Sequence, residues 1–528
     1  MVFRTLSLGF VAGAATLVMA TGVLAQKPGG ILKMQLMDTP PSASIHEEGT
    51  VSAVVPFMAL FNNLVLFDQN VARNSMESIV PDLATSWKWS EDGRQLAFRL
   101  HQGVKWHDGK PFTAKDVACT FDFVTDPEKL RRSPRAAWWW NLEKVTVESD
   151  TDVTFHLKQR QPAFLALLAA GYTPIYPCHI PTADMRRKPV GTGPFKFVEF
   201  KMNEGVKLVR NPAYWKPGHP YLDGIDFTII PDRSTRMLSF VAGKFDMTFV
   251  ADVSVPLLKT VKKDAPKAQC VLRSTGVSTN LIVNRERPPF DDPRLRRAMA
   301  LTIDRQSFMD ILEEGQGWMS GALLPPPDGV WGLTPEMLKS IIGYGDVAKA
   351  REEARGLMKE LGYGPDKHMK IKVSTRNIAT FRDPAVILID QLKPIWIDAE
   401  LEIIDTAVYY NRVFKKDYAV ALNLTGSAVD DPDVTLFEGY ACGSLRNYNG
   451  YCNPKMTKLF EQQSQELDQK KRHQMVWEID RLLQEDIARP IIRNGFAATC
   501  AQAHVKNLTI HSNSIYNNWR FEDVWLDR

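Results

Sequence analysis

Leu96-Ala97-Phe98-Arg99-Leu100, then Thr113-Ala114-Lys115-Asp116, then Val153-Thr154-Phe155-His156-Leu157 together set the fold class. The first and last runs alternate apolar and other residues with period two, the pattern of half-buried strands. Between them the Thr113 hydroxyl is placed to cap a helix start, and Asp116 sits favourably in the first turn. Val117, Thr120, Phe121 and Val124 then recur at helical spacing.

The same alternation continues in both directions and argues for α/β architecture. Asp292-Pro293 predicts a helix start, with Leu295, Ala298, Met299, Thr302 and Ile303 along one face. Asn453-Pro454 repeats it, followed by Met456, Leu459, Phe460 and Leu467, and a further amphipathic helix is expected from His473 to Asp486. These faces read as core. Phe195 to Phe200 reads as a strand, so Gly191-Thr192-Gly193-Pro194 before it is a poor dinucleotide loop: its proline and missing third glycine break that pattern.

At the N-terminus, Arg4 is the only charged side chain in the first 25 residues. Leu6 to Ala20 is apolar or small, and Val23-Leu24-Ala25 offers a small-residue cleavage site before Gln26. The stretch is shorter than the roughly 20 residues that span a bilayer, which favours a cleaved secretory signal at 1–25 over an anchor. No cysteine follows the site to carry a lipid. The remaining chain of roughly 500 residues exceeds one ordinary core, so two or three domains are expected. The full sequence has a net charge of +4, Arg4 included, and acids and bases are interleaved, which gives no support to nucleic-acid binding.

Catalytic signatures are missing. There is no His-Glu-x-x-His, no Gly-x-Ser-x-Gly and no phosphate-cradling lysine loop, so an enzyme is not expected and no cofactor is implied. His46-Glu47-Glu48 and Asp430-Asp431 with Asp433 read as turns rather than metal sites. The six cysteines have no Cys-x-x-Cys spacing. Cys442 and Cys452 are expected to close a short disulfide loop in an oxidising compartment; for Cys119, Cys178, Cys270 and Cys500 the spacing leaves buried thiols or further pairing open.

Trp138-Trp139-Trp140 is the most informative local feature. Three consecutive large rings cannot all face one core, so at least one must meet a cleft, a lobe interface or solvent. Two readings stand: one ring lines a ligand pocket, or all three are structural.

Five stretches together resemble the family 5 extracellular solute-binding proteins, the peptide, nickel and opine receptors of ABC importers. They are Leu83-Ala84-Thr85-Ser86-Trp87 leading to Gly103 through Thr113 (GVKWHDGKPFT), Gly191 to Phe195, Arg210 to Trp215 with Pro220 to Ile225, Pro289 to Arg294 with Ala300 to Arg305, and Asp431-Pro432-Asp433 with Asn447 to Pro454. The resemblance implies a two-lobed periplasmic-binding-protein fold (type II, cluster C-like) with an extra subdomain inserted in lobe I at about 51–181. It implies lobe I at 26–272, lobe II at 273–494 and a C-terminal return to lobe I at 495–528, with crossings near Leu272 to Gly276 and Ile492 to Gly495. It further implies a monomeric periplasmic receptor that closes over one solute and presents it to an inner-membrane permease with its ATPase.

Candidate ligand contacts carried over from the family are Glu48, in a loop resembling one that reaches the ligand, and Trp138 to Trp140, which match an aromatic wall. Arg376 follows the strand Ile371-Lys372-Val373 and is placed to meet a ligand carboxylate; a surface ion pair is the alternative. Peptide-binding members place a carboxylate for the peptide ammonium just before the Asp-Pro-Asp turn. Here that position falls on Ser427 or Ala428, with Asp430 as a substitute. This departure leaves open a peptide, an opine, an oligosaccharide, another aromatic or carboxylated solute, or a metal chelate, and a sensory role beside transport.

Overall fold

The computed structural model describes residues 26–126 and 128–528, and the expected signal peptide lies outside the described residues. Among these, no helix is long and apolar enough to cross a membrane.

The strand Ile31–Leu36 pairs in parallel with Gly224–Ile229, which continues antiparallel into Gly205–Arg210 and Phe195–Lys201. A parallel pair needs a crossover, and here the crossover carries a second sheet. That sheet is antiparallel, in the order Ala84–Trp89, Gln95–Leu100, Asp152–Leu157, Leu142–Ser149. Both strands read from period-two alternation are present, and Leu96, Phe98 and Leu100 point inward. The helix Ala114–Thr125 follows, opened by a capping box in which Thr113 N–H donates to Asp116 Oδ2 at 2.9 Å. One continuous core, from Leu32 through Phe98, Phe121 and Phe195 to Trp519, joins the two sheets. The inserted segment therefore has no separate core of its own.

Gly191 and Gly193 serve close packing. A Cβ on Gly191 would sit 1.8 Å from the Leu60 carbonyl oxygen, and Gly193 N–H donates to that oxygen at 2.9 Å. Phe195 then opens a strand, so the loop is a junction between segments.

A third, five-stranded sheet has the order Ile397–Ile404, Met369–Arg376, Val420–Gly426, Gln269–Val283, Ile491–Ala501. Helices Pro293–Leu301, Val347–Glu360 and Ala379–Leu392 contribute to its core, with Leu281, Met299, Leu388 and Leu422 fully buried. Asp292 and Asn453 cap the helices that their Pro-containing starts predict, Pro293–Leu301 and Pro454–Ser464. The chain forms two lobes. Two long antiparallel strands, Gln269–Val283 and Ile491–Ala501, join them. The outer end of Ile491–Ala501 bridges to Met247 and Val253, while Val277–Val283 of the other strand pairs with Val420–Gly426. Pairing between the two is irregular from Ser274 to Ser278. There Gly276 has φ +63°, and a Cβ would lie 2.5 Å from the Asn513 carbonyl oxygen, so a side chain is disfavoured on both counts.

All six cysteines are bridged. Cys442 and Cys452 are joined across a short loop. The other four, left open between buried thiols and further pairing, form Cys119–Cys178 and Cys270–Cys500. Sequence spacing hides both pairings. Cys270 and Cys500 are cross-strand neighbours in the sheet register, 230 residues apart in sequence. Cys119 sits on a helix whose Asp116 accepts a hydrogen bond from the Cys178 N–H at 2.9 Å, which holds the two segments together.

Candidate functional site

A cavity of about 260 Å3 lies between the lobes and is bordered by both. Thr50, Arg233 and Asp252 face it from the first lobe, and Glu313, Arg376 and Arg493 from the second. Local structure positions each group. Thr50 caps the helix Val51–Phe57 and Asp232 caps Arg233–Val241, which puts Arg233 in a first turn. Glu313 ends the helix Arg305–Glu313, Arg376 ends a sheet strand, and Arg493 lies on one of the two connecting strands.

The lobes are closed on each other by specific contacts. Arg376 Nη2 donates to Asp38 Oδ2 at 2.8 Å, and the Thr406 hydroxyl donates to the same oxygen at 2.5 Å. Arg376 also lies over the rings of Phe381 and Tyr410, at 4.4 and 5.2 Å from their centroids. Arg233 Nη2 donates to Thr380 Oγ1 at 2.8 Å and stands 3.7 Å from Asp252 and 3.6 Å from Asp383. Asp252 itself is gripped by Arg236 through two bonds, 2.5 and 2.8 Å. Glu313 pairs with Arg493 and accepts from the Phe496 N–H at 2.8 Å. Burial holds the Glu313 carboxyl above the ordinary carboxylate range, against the pull of Arg493. Arg446, also on the cavity wall, pairs with Glu438 at 2.6 Å.

Of the residues singled out in the sequence, Arg376 borders this cavity. Glu48 does not: its carboxylate is taken by Arg131 at 2.7 Å, Arg132 at 2.5 Å and the Ser42 hydroxyl at 2.7 Å. The three tryptophans do not border it either. They fall in and just after the 3-10 turn Ala136–Trp139, whose three residues per turn send successive rings in different directions. Trp138 Nε1 donates to Glu438 Oε2 at 2.7 Å across the lobes. Trp139 packs edge-on against Phe121 and Phe164 in the first core. Trp140 stacks on Phe437 of the second lobe, centroids 4.7 Å apart. The ring that could not face the core thus meets the lobe interface.

Ser427 and Asp430 border a separate, smaller void of about 40 Å3. The Ser427 hydroxyl donates to the Val429 carbonyl, and Asp430 Oδ2 accepts from the Val330 N–H at 3.1 Å. Asp433 turns inward and accepts from Gln161, Gln463 and Ser464, holding the turn as a buried hub. No cluster of metal-ligating side chains occurs among the described residues.

Sequence reasoning missed Arg233, Asp252, Glu313 and Arg493. Arg493 carried a usable signal: a charged residue inside the apolar strand Ile491-Ile492-Arg493. Asp252 and Glu313 are paired with arginines of their own lobes, Arg236 and Arg493, while Arg233 reaches Thr380 across the cleft.

Comparison with known proteins agrees with this architecture. The sequence model of the bacterial extracellular solute-binding proteins, family 5 middle region, matches residues 78–446. The chain is 29% identical to heme-binding protein A of Haemophilus influenzae over 58% of its own length, spanning 56% of that relative. It is 25% identical to di/tripeptide-binding protein 1 of Pseudomonas aeruginosa, covering 81% of this chain and 82% of the other. The solved structure of AgaA from A. tumefaciens R10, in complex with agropinic acid, superposes with a TM-score of 0.82 at 20% identity, over 94% of this chain and 99% of that one. These relatives share a fold while their named ligands differ.

Proposed function

This chain belongs to the bacterial extracellular solute-binding proteins of family 5, and on that premise we propose that it captures one small solute in the cleft between its lobes for an ABC importer. The observation that carries the reading is the interlobe cavity, walled on both sides by charged and aromatic groups. Each lobe supplies part of the wall, so a ligand that touches both favours the closed form by its differential affinity.

The proposed lobes are 26–272 and 495–528 on one side and 273–494 on the other, hinged where the two connecting strands lose regular pairing. The protein works without catalysis, as a monomer in the periplasm, and hands its ligand to a permease and its ATPase. Arg376 contacts the solute directly. The tryptophans and Glu48 act indirectly, by holding the lobe interface and the loop beside the cavity, and Ser427 and Asp430 serve the adjoining smaller void.

Relatives named for heme and for di- and tripeptides leave the ligand class open between peptide-like and other solutes. A thermal-shift screen of the mature protein against dipeptides, opines, oligosaccharides and heme tests the function. One class should raise the melting temperature by several degrees at saturating concentration. No shift with any class contradicts the reading.

A further inference from the structure

The interlobe cavity keeps most of its charge buried and much of its apolar surface open. Asp252, Glu313, Arg376, Arg446 and Arg493 border it, yet all five residues are buried. Each is also met by an opposite charge: Asp252 by Arg236, Glu313 and Arg493 by one another, Arg376 by Asp38 and Arg446 by Glu438. A solute therefore meets these groups as neutral pairs with little free surface. Breaking a pair to bind one member would strand the other as a buried, uncompensated charge.

The wall that stays accessible is largely apolar. Val51, Leu312, Leu424, Phe496, Ala497 and Ile515 border the cavity and keep part of their surface. They come from separate elements. Val51 opens a first-lobe helix, Leu312 lies in the last turn of a second-lobe helix, and Leu424 is on a second-lobe strand. Phe496 and Ala497 lie on a connecting strand. Phe496 joins none of the hydrophobic clusters formed by the described residues, so the folded core does not use its ring. Apolar surface from both lobes thus converges on one enclosure, where a matching group removes water from solute and wall together. Two charged side chains of the wall do keep accessible surface, Arg233 at 18% and Asp383 at 42%. They stand 3.6 Å apart across the cleft, and the exposure of Asp383 marks the edge of the cavity.

We propose that the solute carries a bulky aliphatic or aromatic group, which fills the interior of the cavity, while its polar groups lie toward the edge at Arg233 and Asp383. The proposal rests on the solute-binding function above and names its substrate class. It concerns the apolar part of the solute and holds for any net charge.

Three ligand series of constant charge test it by titration calorimetry on the full mature protein freed of bound ligand. One compares dialanine with dileucine and diphenylalanine, a second N-acetylalanine with N-acetylleucine, and a third glucose with phenyl β-glucoside. In whichever series binds, the member with the larger apolar group should bind at least tenfold more tightly. Its heat-capacity change on binding should also be more negative, a reading that needs no variant. Phe496→Ala should weaken that member about tenfold and the smallest member less than twofold, and Phe496→Leu should restore most of the preference. Native mass spectrometry of the protein as purified completes the test, and a copurified solute should carry an aliphatic or aromatic group larger than a methyl. A preference below tenfold in a series that binds, or a copurified solute without such a group, overturns the apolar assignment while leaving solute binding intact. A cleft that takes no member of any series and carries no solute overturns solute binding itself.

Discussion

Arg376 and Asp38 form a buried ion pair across the cleft, 2.8 Å apart with side-chain exposures of 4 and 12%. One partner ends a strand of the second lobe, and the other follows the first strand of the first lobe. The pair therefore exists only when the lobes are together. Asp38→Asn leaves the guanidinium without its counter-charge, a cost of about 3 kcal/mol that the protein escapes by opening. The closed fraction without ligand should drop by about 100-fold in equilibrium constant. Small-angle scattering of the ligand-free variant should show a larger radius of gyration than the parent. An unchanged radius would mean the pair does not hold the lobes.

The tryptophan run is expected to act through the interface. Trp138→Phe keeps an aromatic side chain, smaller than the indole, and removes the N–H that reaches Glu438, leaving a buried carboxylate short of one donor. We expect a loss of about 1–3 kcal/mol in urea unfolding. A change below about 0.5 kcal/mol would show that Arg446 alone satisfies Glu438.

The Cys270–Cys500 bridge ties the connecting strands to each other on the first-lobe side of the hinge. Replacing both with alanine should lower stability by about 2–4 kcal/mol, through the freer unfolded chain. Intact mass should rise by about 2 Da for each bridge reduced, three bridges in all. A mass showing free thiols before reduction would contradict the pairing.

Burial pushes the Asp480 carboxyl up to about 6 from its ordinary 3.8, with the Ala322 N–H and Gln484 bonded to it. The folded protein therefore favours the protonated form. That contribution is fully present below pH 3.8 and is lost as pH rises through about 6. Asp480→Asn mimics the neutral acid, so its stability relative to the parent should improve between pH 4 and pH 7. The gain is at most about 3 kcal/mol. A constant difference across that range would contradict the burial argument.

Much of the fold was legible because it rests on local patterns. Alternation in Leu96–Leu100 and Val153–Leu157, and the Thr113–Asp116 cap, each arise within a few residues. The cleft was less legible, since its wall joins groups such as Arg233 and Thr380 that meet only through lobe closure. Glu48 and Trp138 stood out by composition, yet charge pairing and the 3-10 turn direct both away from the cavity. The cysteine partners depend on sheet register and helix packing, which spacing does not reveal.

The most direct test of the account is occupancy of the interlobe cavity. Ala497 borders it from a connecting strand, and Ala497→Trp would fill the space a solute needs. Native mass spectrometry of the parent, incubated with the tightest ligand from the screen, should show one small molecule per chain. The Ala497→Trp variant, equally folded by circular dichroism, should show none. Undiminished 1:1 binding by that variant would place the solute elsewhere and contradict the account.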